Sequence, residues 1–200
     1  MLKYIFASFI LLFSFHGKAN MTPQTNEQER AYFSGGCFWC MEAAFDAIQG
    51  VTKTTSGYMG GTVKRPTYPQ VSSGMTGHYE TVEVTYNPSQ ITFEELLQAF
   101  WHNVDPLDGD GQFADRGQQY STVIFHLNNA QRDLAKKSKQ SIEKELGQVV
   151  QTQIVPASEF YPAEEYHQDY SKKNPLRYEF YKYGSGRPKR LKELWKRDTK

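Results

Sequence analysis

Ala31-Tyr32-Phe33-Ser34-Gly35-Gly36-Cys37-Phe38-Trp39-Cys40 is the stretch that decides how the chain is read. A short apolar run, Ala31 to Phe33, stops at two glycines, which predicts a strand ending in a turn. Beyond the turn Phe38, Met41, Ala44, Phe45 and Ile48 recur at helical spacing, and Gly50 closes the helix. Cys37 therefore stands at a helix N-terminus, where unpaired N–H groups and the positive end of the dipole favour a thiolate. Cys40 follows on the same helix face, at a spacing that holds Cβ atoms about 5–6 Å apart. A disulfide draws them to about 3.8 Å. A regular first turn thus suits the reduced pair, and oxidation is expected to loosen residues 37–41.

Outward from this centre, Val51 to Tyr58 predicts a strand and Met59 to Gly77 a long loop rich in Gly, Pro, Thr and Ser. Thr81 to Tyr86 alternates with β-branched residues, a strand ended by Asn87-Pro88. Thr92 as N-cap with Glu95 three residues on forms a capping box opening a helix to about Trp101. A second long loop, Asn103 to Gln119, precedes a strand from Ser121 to Leu127. A charged helix from Asn129 to Leu146 ends at Gly147, and a strand from Val149 to Val155 ends at Pro156. Ala163 to about Lys172 predicts a short helix, and Leu191 to Arg197 another. This order predicts an α+β fold: a two-layer sandwich, with a ferredoxin-like core and a mixed sheet flanked by helices. Long loops in such a domain are often functional.

The composition narrows the classes. The chain has 200 residues, with 23 basic against 22 acidic side chains, a formal charge of +1. That length predicts one or two domains of roughly 100–200 residues. Near-neutral charge argues against a nucleic-acid binder, which needs a basic face. Two cysteines cannot build a disulfide-rich scaffold or a four-cysteine zinc site. Lys3, an apolar run from Tyr4 to Phe15 and Gly17-Lys18-Ala19 read as a signal peptide over 1–19, hence an exported protein, periplasmic or secreted. An uncut anchoring helix is the other reading of that segment. Residues 20–30 form a polar leader, leaving 31–200 as a single domain. The tail from Gly184 carries seven basic and two acidic residues and reads as a solvated amphipathic end, with Leu191, Leu194 and Trp195 on its apolar side.

The cysteine pair has three readings. A structural disulfide closing so small a ring removes little unfolded-state entropy. A metal site needs two more ligands, and His16, His78, His102, His126 and His167 show no ligand-like clustering. In a redox pair one thiol attacks and the other resolves. Phe38 and Trp39 between the thiols suit either an apolar slot for a sulfur-bearing group or the core.

Gly36-Cys37-Phe38-Trp39 at a strand-to-helix turn resembles the A-type peptide-methionine sulfoxide reductase family. Pro66-Thr67-Tyr68, Gly74 to Val82 (GMTGHYETV), Asp115 to Ser121 (DRGQQYS) and Phe160 to Tyr170 (FYPAEEYHQDY) match it in order and spacing. The resemblance runs from about residue 31 to about 175. It implies Cys37 as the attacking thiol, Phe38 and Trp39 around the substrate methyl, and Glu80 as the acid that protonates the sulfoxide oxygen. It further implies Tyr68 and Tyr120 as hydroxyls on that oxygen, and Asp115 near the substrate backbone or a bridging water. The family acts on the S epimer of methionine sulfoxide, free or in proteins, and needs no cofactor or metal. A carboxyl among aromatics is kept protonated by desolvation, as a proton donor near neutral pH requires. Many relatives carry the resolving cysteine near the C-terminus; this chain has none there, and Cys40 stands where many of them carry Gly. A Cys37–Cys40 disulfide, re-reduced by a thioredoxin-like partner, is therefore expected, in a monomer. Two rivals stay open: an exported thioredoxin-like thiol-disulfide oxidoreductase, for which the usual proline beside the thiols is missing, and a non-enzymatic binding module.

Overall fold

The computed structural model describes residues 27–195. The predicted signal peptide, most of the polar leader and the last five residues lie outside the described residues.

The chain forms β1 (Glu29–Gly35), α1 (Phe38–Asp46), β2 (Val51–Met59), α2 (Tyr68–Ser72), β3 (Tyr79–Tyr86) and α3 (Phe93–His102). Then come β4 (Gly111–Gln112), β5 (Asp115–Arg116), β6 (Thr122–His126), α4 (Asn129–Leu146), β7 (Gln153–Pro156) and β8 (Tyr161–Pro162). Three C-terminal helices close it: α5 (Tyr170–Lys173), α6 (Pro175–Gly184) and α7 (Arg187–Leu194). The main sheet has the order β7-β6-β1-β3-β2-β8. Its four central strands are antiparallel, and β7 adds in parallel to β6. With α1 and α3 as the crossovers, that core has the βαββαβ order expected of a ferredoxin-like domain. β4 and β5 pair separately as a small hairpin.

Local chemistry fixes the elements that position the site. In α3 the Glu95 N–H donates to Thr92 Oγ1 at 3.2 Å, and the Thr92 N–H donates to the Glu95 carboxylate at 2.8 Å, which closes the capping box. Gly147 ends α4 in the left-handed conformation, which glycine adopts without a Cβ penalty. Phe33 on β1 stacks on Phe45, Phe93 and Phe100, joining sheet to α1 and α3 in one apolar layer. A smaller cluster, Tyr32, Met59, Tyr79, Val123 and Phe125, forms a second apolar group.

The C-terminal third departs from the sequence reading. The helix expected over 163–172 is a 3-10 turn at Glu165–His167 followed by α5. The reason lies in the side chains. Gln168 accepts from the Ser56 N–H and donates to the Ser56 carbonyl, acting as a short extension of the sheet edge, and Asp169 is left-handed at φ +53°. The tail is not a merely solvated end. Arg187 is buried, donating to the Gly35 and Asn103 carbonyls, and Arg190 pairs with Asp105 at 2.6 Å. The first long loop contains α2, and the second contains the β4–β5 hairpin.

Candidate active site

β1 enters the site through Gly36, whose φ of +80° disfavours any side chain. A Cβ there would also fall 2.6 Å from Gln112 Cβ. Cys37 follows as the N-cap of α1, with non-helical backbone angles, and its carbonyl accepts from the Cys40 N–H at 3.1 Å. Cys37 thus sits just outside the helix instead of within its first turn. Both thiols are free and buried.

Glu80, from the second position of β3, is 2% exposed and accepts from the Phe38 N–H at 2.9 Å. This places the carboxyl at the amino end of α1, beside the cysteine. Burial raises its pKa to about 8; the Phe38 hydrogen bond opposes the rise, and the Asp115 and Cys40 charges add to it. Burial also pushes the Cys37 thiol well above its ordinary value, with Cys40 and Glu80 adding and a hydrogen bond from Tyr181 opposing. Cys40 is lowered to about 7, first by the hydrogen bond from Cys37, against burial. At Cys37 desolvation thus works against the thiolate that the helix terminus favours.

Tyr68, the first residue of α2, stacks on Phe38 with ring centroids 6.4 Å apart. Burial, followed by the Glu80 charge, raises its pKa to about 12, against a hydrogen bond from Tyr120. Tyr120, at the end of a 3-10 turn, is also raised, by burial and then by Glu80. Trp39 stacks flat on Tyr170 at 3.7 Å, and its indole N–H donates to His167 Nδ1 at 3.0 Å. The structure thus brings Cys37, Cys40, Phe38, Trp39, Tyr68, Glu80, Asp115 and Tyr120 around one point. Among the described residues no cluster of three or more His, Cys, Asp or Glu could hold a metal ion.

Residues 29–199 match the family model for peptide methionine sulfoxide reductase. The chain belongs to the peptide methionine sulfoxide reductase family. It is 50% identical over 169 residues to the peptide methionine sulfoxide reductase MsrA of Halalkalibacterium halodurans, covering 84% of this chain and 96% of that one. Methionine sulfoxide reductase A of Corynebacterium diphtheriae superposes with a TM-score of 0.72 at 34% identity, covering 76% of this chain and 78% of that one. Reduced Mxr1 of Saccharomyces cerevisiae gives 0.71 at 31% identity, covering 74% and 86%. The family decides against both rivals, the thioredoxin-like exchanger and the binding module.

Several residues of this reductase site are not singled out by the sequence. Tyr181 on α6 donates its hydroxyl proton to Asp115 and stands beside Cys37, and its own pKa rises, chiefly by burial. Burial raises Asp115 too, with Tyr181 and Arg187 working against it. Tyr178, one turn earlier, shares a cavity wall with Cys40. Arg187 holds the Gly35 carbonyl at 2.9 Å from 152 residues away. Glu164 accepts from the Tyr68 N–H and the Tyr58 hydroxyl, both at 2.8 Å, and so seats α2. In the sequence α6 is marked by Pro175 at its start and a run of tyrosines, with no apolar period. His167 and Tyr166 carry no chemical assignment in the sequence reading; His167 orients Trp39 by a hydrogen bond and packs on Tyr68 and Phe38.

Proposed function

We propose that this enzyme reduces the S epimer of methionine sulfoxide, free or in oxidised proteins, through a Cys37 sulfenic acid and a Cys37–Cys40 disulfide. The observation that carries the reading is the Glu80 carboxyl, buried with a pKa near 8 and held by the Phe38 N–H at 2.9 Å, one residue from the thiol. A sulfoxide sulfur is a weak electrophile until its oxygen takes a proton. Glu80, protonated at neutral pH, supplies it, while Tyr68 and Tyr120 donate hydrogen bonds to the same oxygen as charge develops. Phe38 and Trp39 enclose the methyl, and Asp115, tied to Tyr181, sits toward the substrate backbone.

In the net first step oxygen passes to Cys37, whose sulfur becomes sulfenic, and the sulfoxide gains two electrons and leaves as a thioether. The thiol's proton can replace the one Glu80 gives, so acid and base are both restored. Protonation of Glu80 also removes one of the charges that hold the Cys37 thiol up. Cys40 then attacks the sulfenic sulfur, forming the disulfide and releasing water. A thioredoxin-like dithiol reduces it. In support, solved structures of yeast Mxr1 include one in complex with Trx2.

We also read residues 1–19 as an export signal, so that repair takes place in the periplasm or outside the cell. The decisive assay incubates the protein with peptide methionine sulfoxide and dithiothreitol. Methionine forms, and none forms with Cys37→Ser; product from that variant would refute the assignment. Mass spectrometry of the exported protein shows whether residues 1–19 have been removed.

A further inference from the structure

The two cysteines open toward different parts of the molecule. Cys37, outside the amino end of α1, meets Glu80, Tyr68, Tyr120 and Tyr181. Cys40 lines a separate cavity of about 330 Å³ between α1, α6 and α7, which Cys37 does not reach. Ala44, Tyr178, Lys182, Arg187 and Leu191 share its wall with Cys40. Ala43 and Ala44 leave the α1 side of this space open by their small size. Its charged groups are the cations Lys182 and Arg187 with one acid, Glu179. It has room for a cysteine residue and its neighbours, not for a folded domain.

Resting on the disulfide reading above, we propose that this cavity is a thiol-docking site: a protein-borne dithiol inserts its attacking cysteine between α1, α6 and α7 and reduces the disulfide at Cys40. Displacement at sulfur is in line, so the nucleophile must come from the side opposite the leaving sulfur. For attack on Cys40 that side is away from Cys37, toward the cavity. Arg187 and Lys182 favour an approaching thiolate. The donor sulfur bonds to Cys40 Sγ, the Cys40–Cys37 bond breaks, and the electron pair stays on Cys37 Sγ, beside the Tyr181 hydroxyl. The donor's second thiolate then displaces Cys40 and the donor leaves as its own disulfide, oxidised by two electrons. Leaving-group acidity alone points the other way, because the Cys40 thiol is the more acidic of the two. Access decides: attack on Cys37 would have to pass through the pocket that takes the sulfoxide. Reductant and sulfoxide thus reach different sulfurs through different openings and need not displace each other.

The test begins with reduced protein and equimolar peptide methionine sulfoxide, without reductant. The oxidised product is mixed with a thioredoxin whose second motif cysteine is replaced by serine. The remaining thiol is alkylated, and the mixed disulfide is sequenced by tandem mass spectrometry. The expected result is thioredoxin on Cys40 and the alkyl group on Cys37. The reverse labelling overturns the docking site while leaving the disulfide intact. A free Cys40 thiol with a dimedone adduct on Cys37 before thioredoxin is added would overturn the disulfide reading instead. In parallel, Ala44→Trp fills the cavity and Lys182→Glu reverses its charge. Each is expected to lose roughly tenfold or more in turnover with thioredoxin and to keep the wild-type rate of the first, reductant-free turnover. Should Ala44→Trp lose its circular dichroism, Lys182→Glu carries the test. Wild-type turnover with thioredoxin in the folded variants overturns the proposal.

Discussion

Replacing Glu80 by glutamine separates two consequences of one buried carboxyl. The amide keeps an acceptor for the Phe38 N–H, now 2.9 Å from Glu80 Oε2, but has no proton to give. Loss of a general acid costs about 10²–10⁴ in rate, so methionine formation should fall by that factor. Stability should move the other way. In the unfolded chain the carboxyl ionises near 4.5, whereas in the fold it stays protonated until about pH 8. Between these values the folded state holds more protons than the unfolded one, so wild-type stability falls as pH rises through this window. The raised pKa favours the fold only while the carboxyl is neutral. Above pH 8 both states are ionised and the loss levels off. Each pH unit inside the window is worth about 1.4 kcal/mol, so Glu80→Gln should gain roughly 2–3 kcal/mol on the wild type between pH 5 and pH 7. Urea unfolding followed by tryptophan fluorescence at pH 5, 6, 7 and 8 measures the gap, and Glu42 and other titrating groups cancel in the difference. A gap that stays flat with pH would refute the argument, as would activity within a few-fold of wild type.

Cys40→Ser should still yield one methionine per protein in a single turnover but lose thioredoxin-dependent cycling; a dimedone adduct on Cys37 after turnover checks that the sulfenic acid persists. Tyr181→Phe removes the hydroxyl that works against the rise of the Cys37 pKa, so the pH profile of Cys37 alkylation should shift upward relative to wild type. Arg187→Met strips the Gly35 and Asn103 carbonyls of their donor; a loss of about 2–3 kcal/mol in urea unfolding is expected. The rate of sulfoxide reduction should decline as pH rises through about 8, where Glu80 loses its proton, and stopped-flow single turnovers would show it.

The elements legible in the sequence are those whose signals are local. Thr92 with Glu95, Gly147 after α4, the alternation of β3 and the glycine pair before Cys37 each act within a few residues. α6 escapes such reading because apolar side chains surround it: Tyr178 is buried, whereas Leu176, Phe180 and Tyr183 are exposed. No 3.6-residue contrast marks its inner face. Residues 163–172 read as helical by composition, yet the Gln168 amide and the Glu164 carboxylate are committed to the sheet edge and α2. In the site, the cysteine pair stands out on its own chemistry, whereas Glu80, Tyr68, Tyr120 and Asp115 stand out only by family resemblance. Tyr181, Tyr178 and Arg187 reach the cysteines across the whole chain, and nothing local announces them. At Cys37 the helix dipole favours a thiolate while burial opposes it, and a sequence shows only the first of these two effects.

The Arg187 clasp has a consequence for how the protein is made. Synthesis runs from the amino end, and the guanidinium that fixes the Gly35 carbonyl is made 152 residues after it. Until α7 is released the strand just before Cys37 lacks its buried donor, so the strand end beside the reactive sulfur is clasped only once Arg187 has been made. A nascent or C-terminally clipped chain would carry the cysteines but not the bonds that hold them in place.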